Sequence, residues 1–588
     1  MQKIIGYFIL VLLLAACSDE KKEKQLNEAK GGVYYGGVFR VNELESFKNL
    51  YPPAIIDVIS QRIICNVYEG LVKLSQKDLS VMPCLAYRWE SNPEQTVWTF
   101  HLRSDVKFHD DSCFTDGKGR QLVAADFKFC FDKLCEYNST NSSFELICKD
   151  RVKGANEYFA STKEGQPFKG GVSGIKALDD STLQIELNFP HAGFINLMAM
   201  WGACVYPPEA FNRYGIDMRS KCVGTGAFQI KTLKEGEVVI LERNPHYWGM
   251  DENGNKLPYL DAIKISFIQE KKSEMLAFQR GNLDMVFRVP VEMYKEIMGN
   301  YENAQARKSD FDIQTTAAMA TNYYGMLSTS NCFVKKEVRQ AFNYAIDREK
   351  IANFTLQGEG IAGIYGVIPP VEIFKKSGFD FESINGYKLD VNKARELMRK
   401  AGYPEGKGFP KISLTISGGG NERNQQIAEV IQKMLKENIG VDMAINVLSF
   451  PERIDAQQKG KLDFYQSGWV ADYSDPLSFL SLFYGKYIPR DEKELSFVNC
   501  SRYKNPEFDL LFEAAMKEPD IKKRFKLIKE ADQLLIDDAA FMPIFYDEND
   551  RLLQKNARNF PINSLEYRDF SRVYLVPKDK MGKKAAKK

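Results

Sequence analysis

Apolar and polar residues alternate with period two in several short runs of the first 250 residues. In TVWTFHLRSDVKFHDD, Val97, Thr99 and His101 oppose Trp98, Phe100 and Leu102, the pattern of a half-buried strand. STLQIELNFP and GEVVILERNP alternate in the same way, and GGVFRVNELES, from Gly36, is a short strand-like run. Helical segments such as VAADFKFCFDKL lie between them.

From about residue 335 the period changes. In EVRQAFNYAIDREKI the apolar residues Val338, Ala341, Phe342, Ala345 and Ile346 share one face of a helix. LDVNKARELMRKAGYP is a second helix, with Asp390 as N-cap, Gly402 as its stop and Pro404 just beyond. NQQIAEVIQKMLKENIGV repeats the pattern between the strand-like KISLTIS and VDMAINVLS, a strand–helix–strand unit. A last helix, IKKRFKLIKEADQLLI, precedes C-terminal strands. The fold class is α/β, and 588 residues are too many for one core, so two lobes are expected.

Charge adds little: 80 Lys and Arg against 78 Asp and Glu offer no electrostatic case for nucleic acid. The basic run KDKMGKKAAKK at the C-terminus is expected to be a disordered tail. The N-terminus is more informative. Lys3, an apolar stretch from Ile4 to Leu14, then Ala15, Ala16 and Cys17 suit a signal peptide rather than a membrane span. Leu14–Cys17 resembles the lipobox of bacterial lipoproteins, which implies a lipidated Cys17; an unlipidated signal peptide with a chance Cys is the alternative. SDEKKEKQLNEAKGG after it reads as a solvated tether. Ten cysteines remain after Cys17, eight of them between Cys65 and Cys222. Disulfides are permitted in an exported chain. Zinc is weakly supported, with no CxxC pair and four scattered His. No metal or other cofactor is expected.

Most motif matches dissolve in context. Gly358–Gly363 fits G-x-G-x-x-G but follows a helix and runs into IPP, so it is not a dinucleotide site. SGGGNER at 417–423 lies between a strand and a helix but lacks the Lys-Ser/Thr of a phosphate loop. His109-Asp110-Asp111 reads as a turn. YQSGWVADYSDPLSFL is different. LDFYQSGW is a strand approaching a crevice, and Asp475 before Pro476 is a turn-forming pair. Asp472 has no such local role; it is either a cation-binding carboxylate or a structural turn residue. An acid–base pair of Asp472 and Asp475, the hydrolase alternative, would need both carboxylates to converge on one atom.

Eight segments, YEGLVKLSQKDLSVMPCLAYRWE, WTFHLRSDVKFHDD…GRQLVAADFKF, VGTGAFQI, LERNPHYWGMDENGNKLPYLDAI, GNLDMVF, VRQAFNYAIDREKI, AGYPEGKGFP and GWVADYSDPLSFL, resemble in order the family 5 extracellular solute-binding proteins of ABC importers. The resemblance implies a two-lobed periplasmic-binding-protein clamp with an extra subdomain inserted in the first lobe. The expected layout is a lipoprotein signal peptide at 1–17, a tether at 18–35, lobe 1 at 36–315 with the subdomain near 70–190, lobe 2 at 316–504, and a return to lobe 1 with the tail at 505–588. It implies a lipid-anchored, monomeric peptide receptor of the cell envelope. That receptor performs no chemistry and hands its ligand to ABC permease subunits.

The resemblance also assigns residues. Asp472 would pair with the peptide's α-ammonium, while Gly468, Trp469 and Val470 would run alongside its backbone. Ala471, Tyr473 and Tyr323 join them as candidate contacts. Two departures concern the ligand's carboxylate end: Gln466 stands where close relatives have Arg, and Asn424 where a His can stand, leaving Arg423 as the nearby cation. A receptor for an oligosaccharide, nickel chelate or opine-like compound, and a lipoprotein without transport function, are the alternatives.

Overall fold

The computed structural model describes residues 26–580 except 56, 139, 140, 142, 300–303, 306–309, 419–421, 490, 492 and 493. Cys17, the signal-like segment and the last eight residues lie outside the described residues.

The first body is built on two four-stranded sheets. Along the chain come β1 (Val38–Asn42), β2 (Ala86–Ser91), β3 (Val97–Leu102), helix α1 (Ala124–Leu134), β4 (Ile175–Asp179), β5 (Thr182–Glu186), β6 (Phe228–Lys234), β7 (Val238–Arg243) and β8 (Ala262–Ser266). One sheet has the order β6-β7-β8-β1, the other β2-β3-β5-β4. The alternation in β3 works as expected: Trp98, Phe100 and Leu102 are buried and their neighbours half-buried. β5 shows the same alternation. Phe39, Phe100, Phe127, Leu241 and Ile263 share one hydrophobic cluster with Phe560, Phe570 and Val573 from near the C-terminus.

The second body is organised around a seven-stranded sheet. It contains β9 (Met285–Phe287), β10 (Phe311–Met326), helices α2 (Lys336–Tyr344) and α3 (Val391–Lys400) with β11 (Ile361–Ala362) between them, then β12 (Ile412–Ser417), α4 (Glu422–Ile439), β13 (Met443–Leu448), α5 (Phe450–Gln458), β14 (Phe464–Val470), α6 (Pro506–Lys517), α7 (Ile521–Asp537) and β15 (Phe541–Gln554). Strand order is β9-β15-β10-β14-β12-β13, with β11 on β15. β12, α4 and β13 form the expected parallel unit. Asp390 caps α3 by accepting from the Lys393 N–H at 2.9 Å, and Gly402 follows the helix at φ +90°. Helices α2 to α4 cover one face of the sheet with a core of Phe342, Leu414, Ile431 and Phe464. Helices α6 and α7 cover the other, with Met319, Phe483, Phe512, Ile528 and Phe541.

β10 and β15 run antiparallel side by side inside this sheet. Their pairing breaks between Ala317 and Thr321, a bulge in the ladder. Two expected boundaries shift. Helices α6 and α7 and the start of β15 pack in the second body, so the chain is still there after residue 505, where a return to the first was expected. The stretch expected to be a tether is docked from residue 26: Asn27–Glu28 pairs with Tyr34–Tyr35, and Tyr35 stacks edge-on against Tyr259 at 5.6 Å. Two aromatic rings and a glycine turn anchor a segment whose charged composition suggests solvation. Lys580 reaches Glu28 at 2.8 Å, so the tail is held at least that far.

A candidate ligand-binding cleft

β14 is the strand on which the site is built. On one edge Phe464–Val470 pairs along its whole length with β10, from Phe464↔Met326 to Val470↔Ala320. On the other edge it pairs with β12 only at Phe464 and Tyr465. Among the described residues, the edge from Gln466 to Val470 therefore carries backbone N–H and C=O groups with no strand against them. Such an edge can accept an extended chain. Gly468 is exposed here and presents bare backbone.

Two cavities meet this strand. Val470 and Ala471 line one of about 100 Å³ with Val58, Tyr68, Trp201, Tyr247 and Tyr567 of the first body. Gly468 and Trp469 line another of about 480 Å³ with Tyr323, Arg423, Asn424, Gln466, Phe450 and Arg453. Eight of the ten candidate contacts thus face one cavity or the other; Asp472 and Tyr473 lie just beyond, where the two bodies touch.

The loop after β14 is held by Ser478. Its Oγ accepts from the Trp469 indole N–H at 3.1 Å and from the Asp472 backbone N–H at 3.2 Å. The two carboxylates then diverge. Asp475 is buried; its Oδ1 accepts from the Leu477 N–H at 2.9 Å and from Arg524 Nη2 at 2.8 Å. Asp472 is half-buried, and among the described residues its carboxylate makes no hydrogen bond or ion pair. Burial alone pushes its pKa up to about 7. A carboxylate so placed gains from any cation that reaches it. An acid–base pair with Asp475 is not what the geometry offers, since Asp475 is committed to Arg524 in the interior.

Other candidates take supporting roles. Tyr323 is buried, edge-on to Phe541 at 5.7 Å, and reaches the cavity only in part. Gln466 Oε1 accepts from the Ser417 N–H at 3.0 Å, so its amide splices β14 to the end of β12. Asn424 Nδ2 donates to the Ser417 carbonyl at 3.5 Å. Arg423 is ion-paired with Asp547 at 3.4 Å and Glu359 at 3.5 Å. Tyr473 packs against the first body's core. Next to it Arg151 Nη2 donates to Tyr487 Oη at 3.0 Å, and the Ala192 N–H donates to the Met516 carbonyl at 3.0 Å, both contacts between the two bodies.

Sequence reading missed Arg453, Phe450 and Ser478. Arg453 and Gln457 lie one turn apart on the buried face of α5, a signal too weak to separate from an ordinary helix. His109, by contrast, is structural, with Nε2 2.9 Å from the Gly226 carbonyl, while Asp110 pairs with Lys118 and Asp111 with Tyr214. The ten described cysteines carry free thiols.

Residues 80–489 match the family model described as bacterial extracellular solute-binding proteins, family 5 middle. The periplasmic oligopeptide-binding protein OppA of Salmonella typhimurium is 25% identical over 520 residues, 87% of this chain and 88% of that protein. Dipeptide-binding protein DppE of Bacillus subtilis is 24% identical over 570 residues, 95% of each. Among solved structures, the periplasmic binding protein DppA from Helicobacter pylori in complex with peptide STSA superposes with a TM-score of 0.75 at 23% identity, covering 92% of this chain and 98% of that one.

Proposed function

Because the chain belongs to family 5 of the bacterial extracellular solute-binding proteins, we propose that it is a peptide receptor whose Asp472 receives the ligand's α-ammonium. The observation that carries this reading is a half-buried carboxylate that, among the described residues, has no cationic partner, at the end of a strand whose outer edge is open. An ammonium there forms a charge-assisted hydrogen bond and relieves the cost of the half-buried, unpaired acid. Backbone groups of Gly468–Val470 bind the peptide main chain irrespective of its side chains, and the two cavities receive those side chains. Ligand contacts to both bodies favour the closed arrangement of the clamp.

The receptor is lipidated at Cys17 and held outside the cytoplasmic membrane, acts as a monomer and delivers peptides to the transmembrane subunits of an ABC importer. Among the described residues no helix is long and apolar enough to cross a membrane. Mass spectrometry of ligand retained through native purification identifies the peptide, and calorimetry then compares it with its N-acetylated form. Loss of binding on acetylation is expected; undiminished binding would overturn ammonium recognition.

A further inference from the structure

The cavity under Gly468 and Trp469 holds three guanidiniums, Arg288, Arg423 and Arg453. Two are neutralised by acids. Arg288 and Arg423 share Asp547 at 3.3 and 3.4 Å, and Arg423 also reaches Glu359 at 3.5 Å. Arg453 is not. Its Nε donates to Ser417 Oγ at 2.7 Å, and its Nη1 donates to Gln457 Oε1 at 2.8 Å and to the Gln466 carbonyl. All three acceptors are uncharged, and among the described residues Arg453 forms no ion pair and Nη2 has no hydrogen-bond acceptor. Yet the residue is only 5% exposed.

A guanidinium buried to this degree without an anion is costly, and the protein has nevertheless fixed it rigidly. The Ser449–Glu452 capping box sets the start of α5, and three hydrogen bonds orient the planar fork. Such a fork suits a carboxylate. Beside it the Phe450 ring lies 5.5 Å from the guanidinium carbon and, with Phe497, is more than half exposed. The cation therefore faces a cavity with an apolar wall.

We propose that Arg453 pairs with a carboxylate of the bound ligand and so sets the far end of the site. The inference rests on the peptide reading and deepens it. Arg453 is bonded to the carbonyl of Gln466, six positions before Asp472. Six residues of extended chain span at most about 20 Å. A peptide lying along β14 with its ammonium on Asp472 and a carboxylate on Arg453 therefore has roughly four to six residues. The carboxylate belongs either to the C-terminus or to an Asp or Glu side chain.

Calorimetry on the full chain with alanine peptides of three to seven residues separates these cases. Each peptide is used as free acid, as C-terminal amide, and as amide with one internal Glu. Amidation is expected to weaken the best length by about 30-fold or more. Restoration by the internal Glu assigns the contact to a side chain, and failure to restore assigns it to the C-terminus. Arg453→Met is expected to lose the acid–amide difference and Arg453→Lys to regain part of it. The wild-type comparison needs no variant to fold. If acids and amides bind equally at every length while N-acetylation still abolishes binding, Arg453 is not the receptor and the ammonium reading stands. If no peptide binds in any form, both fall together.

Discussion

Asp475 and Arg524 form a buried ion pair, Oδ1 to Nη2 at 2.8 Å, that ties the loop after β14 to helix α7. Asp472, three positions earlier, has no such partner among the described residues. Two carboxylates of one loop thus have opposite consequences for folding and for binding.

Asp475→Asn removes the charge opposite Arg524, whose other bond is from Nε to the Ala515 carbonyl at 3.0 Å. Breaking a buried pair from one side costs about 3–5 kcal/mol. Urea unfolding of the ligand-free protein is expected to show a loss of that order. A loss below about 1 kcal/mol would mean that the pair does not hold the loop.

For Asp472 the expectation reverses. Asp472→Asn keeps the shape and removes a desolvated charge, so the ligand-free protein should unfold at higher denaturant, by about 1–3 kcal/mol. Peptide binding should weaken by roughly 2–5 kcal/mol, because the ligand's ammonium is left unpaired. A variant that loses stability yet binds normally contradicts both expectations.

The same carboxyl makes binding depend on pH. Its folded-state pKa, about 7, lies above its ordinary value of 3.8. The native state therefore takes up a proton as pH falls through 7, and this group then favours folding more at pH 5 than at pH 8. An ammonium ligand binds the ionised form, so affinity is full above about 7 and declines by up to tenfold per unit below it. Above about 8 the peptide's own amine loses its proton. Calorimetry from pH 5 to 9 should show an optimum between 7 and 8; constant affinity from pH 5 to 7 would remove Asp472 from the contact.

Much of this arrangement was legible in residue order because it depends on local chemistry. Pro476 marks Asp475 as a turn former, and Asp472, with nothing local to bind, stands out as a candidate contact. The alternation of Val97–Leu102 and the cap at Asp390 are equally local. β10 was not legible: FDIQTTAAMATNYYGM is central in its sheet and largely buried, so it lacks a two-sided pattern. Nor was the role of Arg453, which depends on the end of β12 and on β14 arriving together over α5, a relation between segments that no spacing encodes. The departures at Gln466 and Asn424 showed that something had changed at the carboxylate end, but not that a guanidinium from helix α5 is bonded to the carbonyl of Gln466 itself.

Ser478 couples the strand to the carboxylate. Its Oγ serves both the Trp469 indole and the Asp472 N–H, within 3.2 Å. Ser478→Ala leaves two donors without their acceptor and frees the loop, while Asp475–Arg524 remains. Peptide affinity should fall by about 1–2 kcal/mol, or five- to thirtyfold, as the preorganisation of Asp472 is lost. Free Asp472 should then show a lower pKa as it gains water, so the pH optimum broadens towards acid. An affinity within twofold of wild type would show that the loop is held by other contacts.

Tyr487 tests the contact between the bodies without touching either cavity. Its hydroxyl accepts from Arg151 Nη2 at 3.0 Å, and neither residue lines the cavities beside β14. Tyr487→Phe deletes one hydrogen bond from a charged donor, worth about 1.5–3 kcal/mol when both groups are held. That bond exists only while the bodies are together, so its loss should favour the open arrangement. Scattering of the ligand-free variant should give a larger radius of gyration. Peptide affinity should fall about tenfold or more, with the preference for length and for free termini unchanged. If affinity falls and that preference changes as well, Tyr487 acts on the ligand and not on closure; if neither changes, this contact contributes nothing to it.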